Sequence, residues 1–227
     1  MSRVSFPLID SKEALVSAVN ELGVVPFFRN SLPGFSIAEN VSPDAWFSDG
    51  EGVWEWKGPV IRETGCAYGK FFSGKAAFVS RELFPDLANF RRDGYDFDAR
   101  YDDGLASFRE KELYDLVSAS CPVLSRDLKR EGNYGKSGKK GFDALIAGLQ
   151  KRCYVLISDF VYDTDKGGKQ FGWGVAEYAT PERLFGPRFR EEAYARSPEE
   201  SEDRLLARLK NVLPDESEEA LRRWISL

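Results

Sequence analysis

The second half of the sequence carries three helical patterns followed by strand patterns, and this order limits the possible folds more than any other feature. A Ser-x-x-Glu capping box at 107–110 predicts a helix that runs to about residue 119. Pro122 suits the first turn of a short second helix. In 142–149, apolar side chains at i, i+3, i+4 and i+7 predict a third helix. The β-branched and aromatic residues at both ends of 153–178 then predict a long hairpin.

Three helices followed by a two-stranded hairpin is the element order of a winged helix. In that fold the third helix enters the major groove of DNA and the hairpin contacts the backbone. The charge distribution favours the same interpretation, because residues 126–152 carry eight basic and three acidic side chains, a net charge of +5. The whole chain has a net charge of −5, so the remainder is −10. We therefore expect a winged-helix domain over residues 106–180 that binds DNA locally.

The expected phosphate contacts are the cations of the third helix, of the loop before it and of the hairpin turn. They are Lys136, Lys139, Lys140, Lys151, Arg152, Lys166 and Lys169. The outward positions of the third helix carry Asp143, Ala144 and Ala147, which lack the side chains that read base edges. Binding to double-stranded DNA is therefore expected to be non-specific, or specific for structure or damage. The alternative is that the basic segment is a solvated face on a module that binds protein.

The rest of the chain predicts a mixed α+β organisation. Residues 1–105 are expected to form an α/β subdomain with a helix over 10–22 and a β-hairpin that turns at Ser73-Gly74. Residues 181–227 are expected to form a helical C-terminal extension. The predicted fold class is thus α+β, an N-terminal α/β subdomain with a β-hairpin packed on a winged-helix domain that has a helical C-terminal extension.

The absence of histidine excludes several classes of active site. Ser-His-Asp and Cys-His arrangements and His-based metal sites all need an imidazole, and the 227 residues contain none. The three cysteines, Cys66, Cys121 and Cys153, are widely spaced, which predicts reduced thiols rather than disulfides or a zinc site. We expect no metal and no cofactor. No apolar run reaches the roughly 18 residues of a membrane helix and no signal peptide is visible, so a cytoplasmic protein without a membrane partner is expected.

Glu55 is the first candidate for hydrolytic chemistry. It lies between Trp54 and Trp56, and paired indoles around a carboxylate suit a pocket that holds an extruded base. In such a pocket Glu55 would activate water. The alternative is that the two tryptophans belong to the core and Glu55 is exposed.

A cluster of five aspartates within 91–104 is the second candidate site. Asp96 and Asp98 are the members that we consider for activating water in the same kind of reaction. The alternative is that the aspartates cap turns and pair with the neighbouring arginines Arg91, Arg92 and Arg100.

Four segments of the chain resemble small bacterial proteins described as AlkZ-related. The segments are 68–72, 94–107, 142–150 and 178–182. The resemblance implies a remote relation to the AlkZ winged-helix DNA glycosylases, in which a Gln-aliphatic-Gln or Gln-aliphatic-Asp motif positions the water that cleaves a glycosidic bond. The two glutamines of this chain, Gln150 and Gln170, are followed by Lys-Arg and Phe-Gly, so neither forms that motif. The resemblance therefore implies DNA binding and leaves enzymatic activity undecided.

The sequence thus favours a winged-helix DNA-binding protein in the setting of DNA repair. The first alternative is a base-excision hydrolase similar to a DNA glycosylase, in which a carboxylate activates water. The second alternative is a protein-interaction or dimerisation module, and a dimerisation module would make the protein a homo-oligomer.

Overall fold

Two three-stranded antiparallel sheets, each accompanied by helices, build the fold. The structure is a computed structural model that describes residues 6–46, 51–168 and 170–226. One sheet is formed by strands before residue 80, and the other by strands after residue 120. The expected α+β class is confirmed.

The N-terminal part begins with a helix whose two ends follow from the sequence. α1 (Lys12–Leu22) starts where the Ser11 hydroxyl accepts a hydrogen bond from the amide of Ala14, and it ends at Gly23, whose φ is 81°. The further elements of this part are β1 (Val24–Pro26), α2 (Ile37–Asn40), α3 (Pro43–Trp46), α4 (Lys57–Thr64), β2 (Ala67–Phe72), β3 (Lys75–Val79), α5 (Phe84–Arg92) and α6 (Phe97–Asp102). The strand order is β1-β3-β2, and the hairpin expected at Ser73-Gly74 is confirmed.

The second half contains the expected helices and hairpin, with one correction. Its elements are α7 (Phe108–Ser120), β4 (Val123–Leu124), α8 (Ser125–Glu131), α9 (Phe142–Lys151), β5 (Leu156–Thr164) and β6 (Gln170–Ala179). Both hydrogen bonds of the capping box between Ser107 and Glu110 are present. The expectation that Pro122 begins a helix is wrong, because Val123 and Leu124 pair as a strand with Tyr178 and Glu177. The strand order of this sheet is β4-β6-β5.

The C-terminal residues pack on the N-terminal sheet and helices. They form α10 (Pro181–Phe185), α11 (Arg188–Ala193), α12 (Pro198–Val212) and α13 (Glu218–Ile225). α12 lies against α5, and the Trp224 ring of α13 stacks on Phe72 with 4.1 Å between ring centroids. A single cluster of buried apolar residues, from Ile9 to Ile225, joins the elements into one core.

Two buried arginines at the end of α5 tie the N-terminal part to the second half. Arg92 donates hydrogen bonds to Glu182 at 2.7 Å, to the Cys153 carbonyl at 2.8 Å and to the Tyr194 hydroxyl at 3.0 Å. Burial alone would lower the pKa of Arg92, but Glu182 and Tyr194 outweigh burial and raise it. Arg91 donates to backbone carbonyls instead. The expectation that these two arginines pair with the aspartate cluster is therefore wrong, since both point into the core.

Candidate nucleic-acid interface and adjoining cleft

The third helix of the second half, α9, is buried along most of its apolar face. Phe142, Ile146 and Leu149 lie in the core, and α9 packs against α7 and against β2 of the first sheet. Gln150 is fully buried, and its Oε1 accepts a hydrogen bond from the Lys70 amide at 3.1 Å. The Gln150 side chain therefore links α9 to β2. This link explains why a polar residue is buried here, and no catalytic role is needed to explain it.

Three of the expected phosphate contacts have partners within the protein. Lys139 forms an ion pair with Glu112 of α7. The Nη1 atom of Arg152 lies 3.8 Å from the Oε1 atom of Glu110, which also belongs to α7. Lys140 donates to the Gly135 carbonyl at 2.7 Å, so it closes its own loop. Acidic residues of α7 therefore neutralise part of the basic segment.

The side-chain ammonium groups of three other expected cations make no ion pair or hydrogen bond with the described residues. Lys136 and Lys166 are exposed, and Lys151 is half-buried at the end of α9. Lys169 lies outside the described residues. Lys166 lies in the turn between β5 and β6. Fewer cations are thus available for a ligand than the sequence predicted.

The hairpin β5–β6 presents an aromatic side chain that the sequence analysis did not single out. Trp173 has 82% of its surface exposed. It lies between Gly172, whose φ is 74°, and Gly174. A Cβ on Gly174 would lie 2.8 Å from the Tyr162 ring, so this glycine lets the two strands pack closely. The sequence carries no signal that distinguishes this exposed tryptophan from a buried one.

A cleft of about 660 Å³ lies between α4 and the hairpin. Its lining includes Glu55, Trp56, Arg62, Asp159 and Tyr162. One Glu55 carboxylate oxygen accepts a hydrogen bond from the Gly52 amide at 3.1 Å, and Arg62 Nη1 lies 2.6 Å from Asp159 Oδ2. The cleft thus combines a carboxylate, an ion pair and aromatic walls.

The two tryptophans beside Glu55 have different surroundings. Trp56 is 8% exposed and lines the cleft. Trp54 belongs to a ring cluster, with centroid distances of 4.9 Å to Phe27 and 5.1 Å to Trp46. Lys57 follows them, and its Nζ lies 4.2 Å from the Phe160 ring centroid. Burial lowers the pKa of Lys57 to about 8, although Glu55 opposes the shift.

The aspartate candidates lie apart from this cleft. Asp96 caps α6 by accepting from the Ala99 amide at 2.9 Å, and its other oxygen lies 2.6 Å from Arg190 Nη2. Asp98 Oδ1 lies 3.4 Å from Lys111 Nζ. Neither residue lines the cleft, so the structure does not bring the three catalytic candidates together. Within 6–46, 51–168 and 170–226 no three Cys, Asp or Glu side chains group closely enough to hold a metal ion.

The cysteines offer no reactive thiolate in the core. All three are free of disulfides. Burial raises the pKa of Cys66 to about 11 and that of Cys153 to about 12. Both thiols stay protonated at neutral pH, and the thiolate is the nucleophilic form.

The fold and cleft define a mixed α+β protein with two small antiparallel sheets and a long exposed hairpin. A family model described as AlkZ related matches residues 9–226, nearly the whole chain. The chain therefore belongs to the AlkZ-related family. No curated protein matches it, and no solved structure does. In the described part of the chain, none of the helices combines the length and apolarity needed to cross a membrane.

Proposed function

We propose that the segment from α7 to β6 is a winged helix and that the protein binds double-stranded DNA through it. The observation that carries the proposal is the topology of this segment. Its chain order is helix, short strand, helix, helix and hairpin, and the first strand β4 pairs with β6 rather than with the adjacent β5. β6 also lies against α7 and α8. This strand order supports the proposal, because in a winged helix the hairpin contacts the DNA backbone while the third helix enters the major groove.

The charge and shape of the segment support binding without strong sequence preference. The exposed positions Asp143 and Ala144 of α9 lack donors for guanine and adenine edges. The unpaired cations Lys136, Lys151 and Lys166 suit phosphates, which carry no sequence information directly. The relation of the family to AlkZ glycosylases supports DNA as the ligand, with structure or damage as the recognised feature.

A salt titration tests this proposal. With about three phosphate contacts, log K for a fluorescent duplex should fall against log salt with a slope of about −2.7. The variant Lys136→Glu/Lys166→Glu should lose most of this binding, because two cations become anions. The matched control Lys210→Glu/Arg223→Glu makes the same charge change on α12 and α13 and should bind as the wild type does. A folded wild-type protein that binds no duplex at low salt would refute the proposal.

A second candidate function is base excision in the cleft beside the hairpin. The volume of about 660 Å³ lies within the range of small-molecule sites, and Glu55 is a carboxylate beside the buried Trp56 ring. Glu55 would take a proton from the attacking water, in the role that a general base has in hydrolysis. The inherited glutamine motif is missing, so this chemistry would differ from that of AlkZ.

Release of an alkylated base from a duplex tests the second candidate. Glu55→Gln should abolish release, because an amide cannot accept the proton from water. Asp96→Asn and Asp98→Asn are the controls and should retain release, because both residues lie at the start of α6, away from the cleft. Release that Asp96→Asn abolishes and Glu55→Gln leaves intact would refute the assignment of Glu55.

A further inference from the structure

Trp173 is the exception among the five tryptophans of the chain. Its side chain is 82% exposed, whereas Trp56 and Trp224 are 8% and 3% exposed and Trp46 and Trp54 are half-buried in the aromatic cluster. A tryptophan buries a large apolar area in a core, so leaving one in water forgoes that stabilisation. An indole held in solvent is therefore a feature that folding does not explain.

Most of the Trp173 side chain lies in solvent. Trp173 makes no ring contact with any of the described aromatic side chains.

The described side chains of the hairpin form little apolar surface for a protein interface. Among them, the large apolar side chains that are exposed are Trp173 and Val161, at 82% and 37%. The other exposed large apolar residues, Leu8, Leu105, Phe108 and Leu184, lie on different elements. A protein contact needs an anchor that is ringed by further contacts which exclude water. An exposed flat ring instead suits the π-face of a nucleobase, which needs no surrounding apolar patch.

The position along the hairpin suits a ligand that carries phosphates. Thr164 pairs with Gln170 at the end of the ladder, so Trp173 lies about 10 Å along β6 from the turn. The turn carries the unpaired Lys166. One hairpin thus presents a cation at its tip and a stacking surface behind it.

We propose that Trp173 stacks on a base that is already unstacked in duplex DNA, so that the hairpin prefers mismatched or abasic sites over intact duplex. The inference rests on the proposed DNA binding and adds the feature that is recognised. An intact duplex must first be unstacked, at an energetic cost, whereas a mismatched or abasic step offers an open base face. The ring therefore contributes more affinity at a damaged site than at an intact one.

Equilibrium binding to an intact duplex and to the same duplex with a central abasic site tests the proposal. Alanine substitution of a base-stacking aromatic lowers affinity by roughly 5- to 150-fold. Trp173→Ala should therefore lose at least about 5-fold in affinity for the abasic duplex and much less for the intact one. Trp173→Phe should keep most of the preference, since it keeps a ring. The salt dependence of binding should be unchanged in both variants, because no cation is removed.

Leu8→Ala is the control, because Leu8 is a 61% exposed apolar residue that lies before α1, outside the segment proposed to bind DNA. It should bind both duplexes as the wild type does. Iodide quenching gives a second readout: in the free protein the most accessible tryptophan is Trp173, and the abasic duplex should shield it from iodide. Unfolding midpoints of all variants should agree, since the exposed ring contributes little to the core.

The outcomes separate the inference from the proposed function. Wild-type binding that Trp173→Ala leaves unchanged on both duplexes overturns the inference and keeps DNA binding. An equal loss on both duplexes overturns the preference for unstacked bases. Wild-type protein that binds neither duplex overturns both proposals. A change of oligomeric state in Trp173→Ala, measured by sedimentation, would assign the ring to a protein contact and also overturn the inference.

Discussion

Replacing Arg92 by methionine should lower the free energy of unfolding by about 1 to 3 kcal/mol, the usual cost of leaving buried acceptors without a donor. The Arg92 side chain is 1% exposed. Its guanidinium forms an ion pair with Glu182 and donates hydrogen bonds to the Cys153 carbonyl and the Tyr194 hydroxyl. Methionine has a similar length and fills much of the space. The loss therefore comes chiefly from acceptors that keep no donor, rather than from a cavity.

Urea unfolding monitored by tryptophan fluorescence measures this loss, and calorimetry gives the matching shift in Tm. For a chain of this size, each kcal/mol lowers Tm by about 2 to 4 °C, so Tm should fall by roughly 2 to 12 °C. The loss should stay constant between pH 6 and 9. Glu182 and Tyr194 raise the pKa of Arg92, so the guanidinium keeps its charge throughout that interval.

Two further variants make the reasoning refutable. Arg183→Met removes an exposed arginine from the same helix, α10, and should change stability by less than about 0.5 kcal/mol. The double variant Arg92→Met/Glu182→Met should be more stable than Arg92→Met alone, because it removes the unpaired carboxylate as well. A loss below about 1 kcal/mol for Arg92→Met, or a double variant less stable than the single one, would refute this account of the junction.

Two other predictions concern stability. Burial lowers the pKa of Lys57 to about 8, from the ordinary 10.5, so above pH 8 the folded state binds fewer protons than the unfolded state. Relative to Lys57→Met, the wild type should therefore gain stability as pH rises from 8 to 10, and a flat difference in urea midpoints would contradict this. Ser107→Ala removes the cap of α7 and should cost about 1 kcal/mol in urea unfolding, whereas the exposed Ser118→Ala should cost almost nothing.

Local signals predicted the elements that depend on local interactions. The capping boxes at Ser107 and Ser197 are both present, because each closes within four residues. The turn at Ser73-Gly74 has positive φ at both residues, 50° and 72°, which two short residues adopt at little cost. Such features are readable because the interaction that stabilises them is contained in the segment itself.

Elements that depend on distant partners were not predictable. β4 has two residues and exists because Val123 and Leu124 pair with β6, more than 50 positions away. α4 was missed because Gly58 and Pro59 disfavour a helix, yet Pro59 lies in the first turn, where the missing amide has no partner to lose.

The residues of the candidate site also divide into features that the sequence predicts and features that depend on distant partners. Composition identified the basic segment, but the pairing of Lys139 with Glu112 requires α7 to lie beside the loop. Exposure of Trp173 depends on the tertiary position of the hairpin, since its sequence alone does not distinguish it from the buried Trp224. The sequence identifies the charged and aromatic side chains. Only the fold determines which of them stay exposed and unpaired, and so remain available to a ligand.

The cations and rings that remain exposed and unpaired determine how the proposed DNA contact would work. The apolar face of α9 is buried in the core, and its Gln150 accepts a hydrogen bond from β2. The Arg152 guanidinium lies close to the Glu110 carboxylate. The helix that would enter the major groove therefore brings few donors of its own. The hairpin, in contrast, keeps Lys166 and Trp173 in solvent. Affinity and selectivity would then come mainly from the wing, which reads backbone and exposed bases rather than base edges, and this favours recognition of altered DNA structure over recognition of sequence.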